Sequence, residues 1–198
     1  EYPYVECTDS SVLGLAYFNK ASSYRKDDIK LAINRATEYI INSQNLDGSW
    51  YGCWGVCYTY AGMFALEALY EIELNYKNSD VVKRGCDFLV SRQLPDGGWG
   101  ESMKSSETHT YISTRESLVV QTAWVVIGLL LADYHDKEVI RRGVDLIIRR
   151  QRETGEWEFE SVEGVFNHSC SIEYPNYKFL FPIKALGLYV KKYGDEKL

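Results

Sequence analysis

Three stretches of the chain place apolar residues at helical spacing along one face and polar residues along the other. Ile29, Ile33, Ala36, Ile40 and Ile41 share the first face, Val81, Val82, Gly85, Phe88 and Leu89 the second, and Val139, Ile140, Gly143, Leu146 and Ile147 the third. Each pattern predicts an amphipathic helix with a small residue where another helix can come close. Turn formers follow each: Asn45-Leu46-Asp47-Gly48, Leu94-Pro95-Asp96-Gly97-Gly98 and Arg152-Glu153-Thr154-Gly155. They stop the helix and turn the chain. Beyond each turn lies a stretch that is apolar nearly all round: Tyr58 to Leu69, Leu118 to Ala132, and Phe179 to Val190. A helix of that kind belongs inside something. The alternation predicts an all-α chain in which outer helix, turn and inner helix recur three times, as part of an α/α toroid or barrel.

The turns carry a stricter signature than hydropathy alone. Arg35-Ala36, Arg84-Gly85 and Arg142-Gly143 are each followed nine residues after the Arg by a glutamine (Gln44, Gln93, Gln151) and six later by a tryptophan (Trp50, Trp99, Trp157). Three copies of one spacing mean one supersecondary unit used repeatedly. The repeat units run over about 25–76, 77–133 and 134–193, within a single domain over 1–198. Each Gln and Trp reads as structural: the indole can cover the amide while the amide ties down helix ends. The plainer alternative is that each Trp fills a gap between helices.

Composition narrows the function classes. The 198 residues, 45% of them hydrophobic, suit a globular domain with a sizeable core. A formal charge of −6 and no basic block argue against nucleic acid. Five cysteines after a start unlike a signal sequence suggest reduced thiols. Cys53 and Cys57, lacking a second pair, are a weak zinc signal. The run from Leu118 to Ala132 is too short for a confident membrane span. Aromatic content of 14% suits either a cavity walled with π faces or a large core. The chain begins at Glu1 without a Met, and three repeats fall short of a closed ring, so it reads as a piece of a larger protein.

The repeats, with Tyr4-Val5-Glu6-Cys7-Thr8 ahead and Gly164-Val165-Phe166-Asn167-His168-Ser169-Cys170 behind, resemble the oxidosqualene cyclases. The resemblance covers essentially the whole chain and looks like the C-terminal quarter of such an enzyme. It implies a terpenoid-cyclase toroid and an isomerase that needs no cofactor and no metal. In that chemistry an Asp protonates (3S)-2,3-oxidosqualene, the chain closes through successive carbocations, and a proton leaves to give a tetracyclic sterol. The acid sits in an Asp-Cys-Thr-Ala-Glu motif in the family, and that motif is absent here. The acid is therefore expected upstream of Glu1, and this polypeptide alone is expected to be inactive. The implied partners are the lipid substrate, the N-terminal remainder of the same enzyme and a membrane surface, at the endoplasmic reticulum or a lipid droplet. The closing Asp195-Glu196-Lys197-Leu198 resembles a retrieval signal only in composition.

Site residues follow from the matched motifs. Cys7 matches a family cysteine that hydrogen-bonds the catalytic Asp, where a thiol donor stabilises the conjugate base; the bland alternative is a buried structural cysteine. Trp54 and Phe166 match family aromatics that stabilise cationic transition states. A quadrupolar ring face favours positive charge without accepting a proton, which a carbocation cascade needs. Core packing is the alternative for both. Tyr174 matches a cavity tyrosine, and Cys170 is expected on the same wall. His168 with Cys7 and Cys170 could form a three-ligand zinc site, though a satisfied histidine is the preferred reading. His109 and His135 are expected to sit idle in polar loops, and Trp124 to be core. Asp80 and Thr8 read as helix caps. Glu6 and Asp9 lie near Cys7, with no acidic partner evident. Three readings compete with a sterol-forming cyclase: a sister cyclase with another product, a zinc prenyltransferase β-subunit, and a non-enzymatic helical scaffold.

Overall fold

The computed structural model describes residues 3–195, so Glu196, Lys197 and Leu198 of the closing tetrapeptide lie outside the described residues. The three amphipathic patterns form α2 (Lys26–Asn42), α4 (Asp80–Val90) and α7 (Lys137–Arg149), and the apolar stretches form α3 (Cys57–Glu71), α6 (Val119–Leu131) and α8 (Tyr177–Tyr193). A further helix, α1 (Val5–Ala21), precedes them, and a short α5 (Lys104–Thr108) lies between α4 and α6. The inner layer is a row in the order α1, α3, α6, α8, each packed on the next. Outside it α2 covers α1, α4 covers α3, and α7 covers α6. The only sheet among the described residues is a small hairpin, β1 (Gly164–Phe166) with β2 (Cys170–Ile172).

The apolar pattern dictates the layers. Helix α6 buries every residue from Val119 to Leu130, and α3 nearly as many, because both have helices on several sides. Helix α7 buries one stripe only: Ile140, Gly143, Val144, Leu146 and Ile147. Helix α8 departs from the sequence reading. It buries Phe181, Pro182, Ala185 and Tyr189 but leaves Leu180 and Ile183 exposed, because it ends the row.

Each repeat turn is locked in the same way. The indole Nε1 of Trp50, Trp99 and Trp157 donates to the carbonyl of Ile40, Leu89 and Ile147, at 2.8, 2.6 and 2.8 Å. These acceptors lie near the C-terminal ends of the outer helices, where carbonyls lack helical partners. The glutamine carboxamide reaches in two directions. Gln44 Nε2 donates to Gly48 of its own turn and to Val81 of α4, both at 2.9 Å. Gln93 Nε2 donates likewise to Gly97 and to Val139 of α7, at 2.8 and 2.9 Å. The next repeat answers with its arginine: Arg84 Nη2 donates to Gln44 Oε1 at 2.6 Å, and Arg142 Nη2 to the carbonyls of Leu94 and Pro95 at 3.3 and 3.4 Å. Indole and amide therefore divide the work, the first closing its own helix and the second gripping the next.

The glycine after the second and third arginines admits both a neighbouring inner helix, as expected, and an indole. A Cβ on Gly85 would come within 2.5 Å of the Trp50 ring, and one on Gly143 within 3.0 Å of the Trp99 ring. At Gly85 the previous repeat's indole is the nearest neighbour, whereas at Gly143 Val126 of α6 comes closer, at 2.7 Å. Gly97, at φ +99°, lies flat on the Arg142 carbonyl, so glycine is required there for both conformation and space.

Inner helices α3 and α6 begin with borrowed acids. Glu101, fully buried, accepts from the backbone N–H groups of Tyr58 and Thr59 at 3.0–3.1 Å and from Thr59 Oγ1 at 3.0 Å, capping α3. Glu160 accepts from Val119 N at 2.6 Å, capping α6, and is held by Arg150 at 2.7 Å. Gln121, the polar exception in the apolar run, clamps Glu101: its Oε1 accepts from Glu101 N and its Nε2 donates to Glu101 O. Two expected caps are corrected. Ser79, not Asp80, caps α4 through Val82 N, and Asp80 is the first helical residue. Thr8 lies inside α1, because the motif is helical from Val5 onward.

Truncating a fully buried indole at the lock should cost about 3–5 kcal/mol of stability. Trp99→Ala, followed by chemical denaturation, is expected to show a loss of that size.

Candidate functional site

The hairpin and the segment between Trp50 and α3 make one small β structure. Phe166 pairs with Cys170 across the hairpin, and Asn167 and His168 turn the corner at φ +50° and +64°. Val56 N donates to Glu163 O at 2.8 Å and Val165 N to Trp54 O at 3.3 Å, with Gly55 bridging Gly164. This backbone pairing brings two rings from distant parts of the sequence together. The Trp54 and Phe166 centroids are 5.3 Å apart, with planes inclined at 36°. Both rings stay open, 37% and 41% exposed, which a mere gap-filler would not be.

The rings face a cleft of about 570 Å³ whose other wall is the start of α1: Pro3, Tyr4, Cys7, Thr8 and Ser11, with Asn167 at the rim. Cys7, Trp54 and Phe166 therefore share one hollow. Tyr174 does not line it; its ring stacks on Tyr177 at 4.6 Å and packs over Gly164. Cys170 is exposed on the second hairpin strand, likewise outside the lining. None of the five cysteines is in a disulfide. His168 is engaged, its Nδ1 2.7 Å from Tyr51 Oη. His109 stacks on Tyr51 at 4.7 Å, and His135 packs on Tyr134 and Tyr76. Trp124 is fully buried among Tyr60, Tyr177 and Phe181. Among the described residues no cluster of three or more His, Cys, Asp or Glu could hold a metal.

A residue beside Cys7 sets this geometry. Glu6, 3% exposed, directs Oε1 to the backbone N–H of Cys53 at 2.6 Å and of Trp54 at 3.0 Å. The helix that carries Cys7 is thereby tied to the segment that carries Trp54. A Cβ on Gly52 would sit 3.1 Å from Glu6 Oε2, so a glycine there lets the carboxylate in. Asp9, one turn on, is completely buried, and burial first and the Glu6 charge second hold its carboxyl well above the ordinary range. Asp9 is thus a core acid, not a cleft residue. Sequence reading left Glu6 without a role because its partners are backbone groups 47 and 48 positions away. Its only local signal is its place inside the Tyr-Val-Glu-Cys-Thr motif. Glu163, immediately before β1, is pushed up to about 8 by burial and secondarily by the Glu160 charge.

Comparison with known proteins matches residues 6–191 to the squalene-hopene cyclase C-terminal domain. The chain is 67% identical over 198 residues to lanosterol synthase ERG7 of Saccharomyces cerevisiae and 64% identical over 200 residues to lanosterol synthase of Candida albicans. It is 39% identical over 202 residues to the human lanosterol synthase. All of this chain is matched in each case, but only 27%, 28% and 28% of those proteins. The chain thus spans about a quarter of the length of these curated relatives. Among solved structures, ent-copalyl diphosphate synthase from Streptomyces platensis superposes with a TM-score of 0.73 at 16% identity, covering 95% of this chain and 34% of that one. The type II terpene cyclase MstE from Scytonema gives 0.61 at 14% identity, over 82% of this chain and 52% of that one. These structural likenesses establish the all-α terpene-cyclase fold.

Two outcomes follow from the site's acids. Glu6→Ala leaves two N–H groups without their acceptor, and each buried orphan costs about 1–3 kcal/mol. Denaturation should show a loss of that order for Glu6→Ala and a smaller one for Glu6→Gln, which keeps an acceptor oxygen. Glu163 holds its proton in the fold above the pH at which the unfolded chain releases it. Its contribution is therefore complete below about 4.5 and fades as pH rises toward about 8. Denaturation of wild type and Glu163→Gln across that window should show the variant gaining relative stability with rising pH; a constant difference would contradict the assignment.

Proposed function

The chain belongs to the squalene-hopene cyclase C-terminal domain family, and from that premise we propose that it is one wall of an oxidosqualene cyclase that makes lanosterol. The observation that supports this most directly is the shared hollow of Cys7, Trp54 and Phe166, with two open π faces 5.3 Å apart. A cyclase must protonate the epoxide oxygen of (3S)-2,3-oxidosqualene. The C–O bond then opens, alkene electron pairs close the rings in turn, and the last cation loses a proton, so the product is an isomer.

Residues 1–198 fill the part of this scheme that follows proton delivery. Asp9, buried and outside the cleft lining, is not placed to serve as the acid. The acid comes from the remainder of the enzyme, and Cys7, exposed on α1, is placed to donate a hydrogen bond to it and stabilise its conjugate base. Trp54 and Phe166 offer ring faces to the developing cation. Each such contact is worth about 0.5–2 kcal/mol or more in a dry site, and fixed rings cost no reorganisation during reaction. Neither ring can take a proton, so the cascade is not quenched early. Tyr174 and Cys170, outside the cleft lining in this chain, would complete the wall from the far side of the hairpin. The family identity decides against a zinc prenyltransferase subunit and against a bare scaffold. Among cyclisation products, the level of identity to fungal lanosterol synthases supports lanosterol.

A substrate insoluble in water supports a position on a membrane surface, at the endoplasmic reticulum or a lipid droplet, with the enzyme embedded from one side. No described helix is long and apolar enough to cross a membrane.

The parent polypeptide, supplied with racemic oxidosqualene, should yield lanosterol by mass spectrometry; absence of any cyclised product would refute the reading. Trp54→Ala should lower kcat by about 2- to 30-fold, the equivalent of one cation–π contact, with substrate binding little changed. Undiminished turnover in the folded variant would remove Trp54 from the mechanism.

A further inference from the structure

Phe166 sits on a hairpin too short to hold itself. Strands of three residues joined through Asn167, His168 and Ser169 have little stability alone. The start of β1 is fastened to the Trp54 segment by backbone pairing. The corner is fastened by side chains. Tyr51 Oη lies 2.7 Å from His168 Nδ1 and donates to Ser106 O at 3.1 Å, while Ser106 Oγ donates to His168 O at 2.7 Å. The hydroxyl has one proton; given to Ser106, it leaves the oxygen to accept from an Nδ1–H of His168. Burial pushes the Tyr51 hydroxyl above its ordinary range, so this proton stays on. The His109 ring stacks over the arrangement, 4.7 Å from Tyr51 and 5.0 Å from His168.

We propose that Tyr51 is a positioning residue for Phe166, setting through His168 and Ser106 the distance and angle at which the phenyl ring meets Trp54 and the cleft. This deepens the reading above and rests on it for the chemistry. Both anchors of the clasp belong to the fixed frame. Tyr51 directly follows Trp50, whose indole closes α2. Ser106 and His109 lie on α5 and its C-terminal end, in a loop rooted where Ser102 N donates to Ile112 O and Glu101, the cap of α3, bridges Ser113. The corner needs such support. Asn167 and His168 hold left-handed backbone, at φ +50° and +64°, which a residue other than glycine keeps only when its surroundings fix it. Trp54 has a separate tether, its backbone N–H on Glu6 at 3.0 Å. Release of the clasp therefore frees one ring and leaves the other in place. A ring that acts on a passing cation has to be held to within about 0.5 Å and 10–20°, so the hydroxyl of Tyr51 reaches the chemistry without touching substrate.

Fluorine NMR of the full-length parent protein, with p-fluorophenylalanine in place of Phe166, tests this. The Trp54 indole, 5.3 Å away, shifts that signal by its ring current. Tyr51→Phe removes only the hydroxyl and should move the signal toward its unfolded position or broaden it. Ser106→Ala, which releases the His168 carbonyl alone, should act in the same sense and more weakly. Tyr76→Phe, which loses a bond to Asp87 beyond the C-terminal end of α3, is the control and should leave the signal unmoved. On oxidosqualene, without the fluorine label, Tyr51→Phe should lower kcat by at most the loss that Phe166→Ala gives, about 2- to 30-fold for one cation–π contact, with KM little changed. The two variants should share their incompletely cyclised products, identified by gas chromatography and mass spectrometry. Combined, they should lose no more than Phe166→Ala alone, whereas the losses of Tyr51→Phe and Trp54→Ala should multiply. An unmoved signal in both folded clasp variants, or a moved signal with kcat and products unchanged, overturns the proposal. A moved signal in a parent protein that cyclises no oxidosqualene would refute the assigned reaction and leave the positioning of Phe166 by Tyr51 standing.

Discussion

The structure depends on one side-chain carboxamide placed where two helices meet. An outer helix that ends in a tight turn leaves its last carbonyls exposed, and a helix beside it has no covalent reason to stay there. Gln44 and Gln93 solve the second problem with two N–H groups in fixed planar geometry, one for the turn and one for the neighbour. The indole solves the first, and its bulk is then received by the glycine of the following repeat. The contacts run forward along the chain, each unit holding the next, so stability propagates between nearest neighbours in the manner of repeat proteins.

This arrangement explains why the site sits where it does. Inner helices α3 and α6 are packed on nearly every side and are therefore rigid, and the segment from Trp50 to Val56 is pinned between a lock at one end and a helix start at the other. Trp54 is held within it by the Glu6 hydrogen bond and by pairing with the strand that carries Phe166. The exposed rings are thus attached to a segment held by hydrogen bonds from several elements, as the proposed preorganised site would require.

The repeats were readable from sequence because Arg, Gln and Trp act at fixed short range. Amphipathic stripes such as Ile140, Gly143 and Ile147 gave the outer helices for the same reason. Helix α1 was not readable, since its buried positions include the acids Glu6 and Asp9, which polar patterning assigns to a surface. The caps from Glu101 and Glu160 were hidden because their partners lie about 40 positions away, beyond any local spacing. The hairpin bearing Phe166 has strands of three residues, too short for an alternation to register. Motif likeness pointed to Cys7, Trp54 and Phe166, which line one cleft; it could not show that Tyr174 turns to Tyr177 and away from that cleft.

The buried acids also bear on how this wall tolerates positive charge. A helix N-terminus carries the equivalent of roughly half a positive charge, and α3 begins at Cys57, three residues beyond Trp54. Left bare, that end would oppose a cation at the indole, undoing part of what the ring would supply under the proposed function. Here the N–H groups of Cys53 and Trp54 point to Glu6, and those of Tyr58 and Thr59 point to Glu101. The donors nearest the cleft are turned inward onto carboxyl oxygens, and both acids are buried where no substrate can reach them as bases. A wall for carbocation chemistry has to be electrically quiet or mildly negative while exposing no proton acceptor. Acids placed behind the aromatic surface, with only ring faces in front, satisfy both conditions at once.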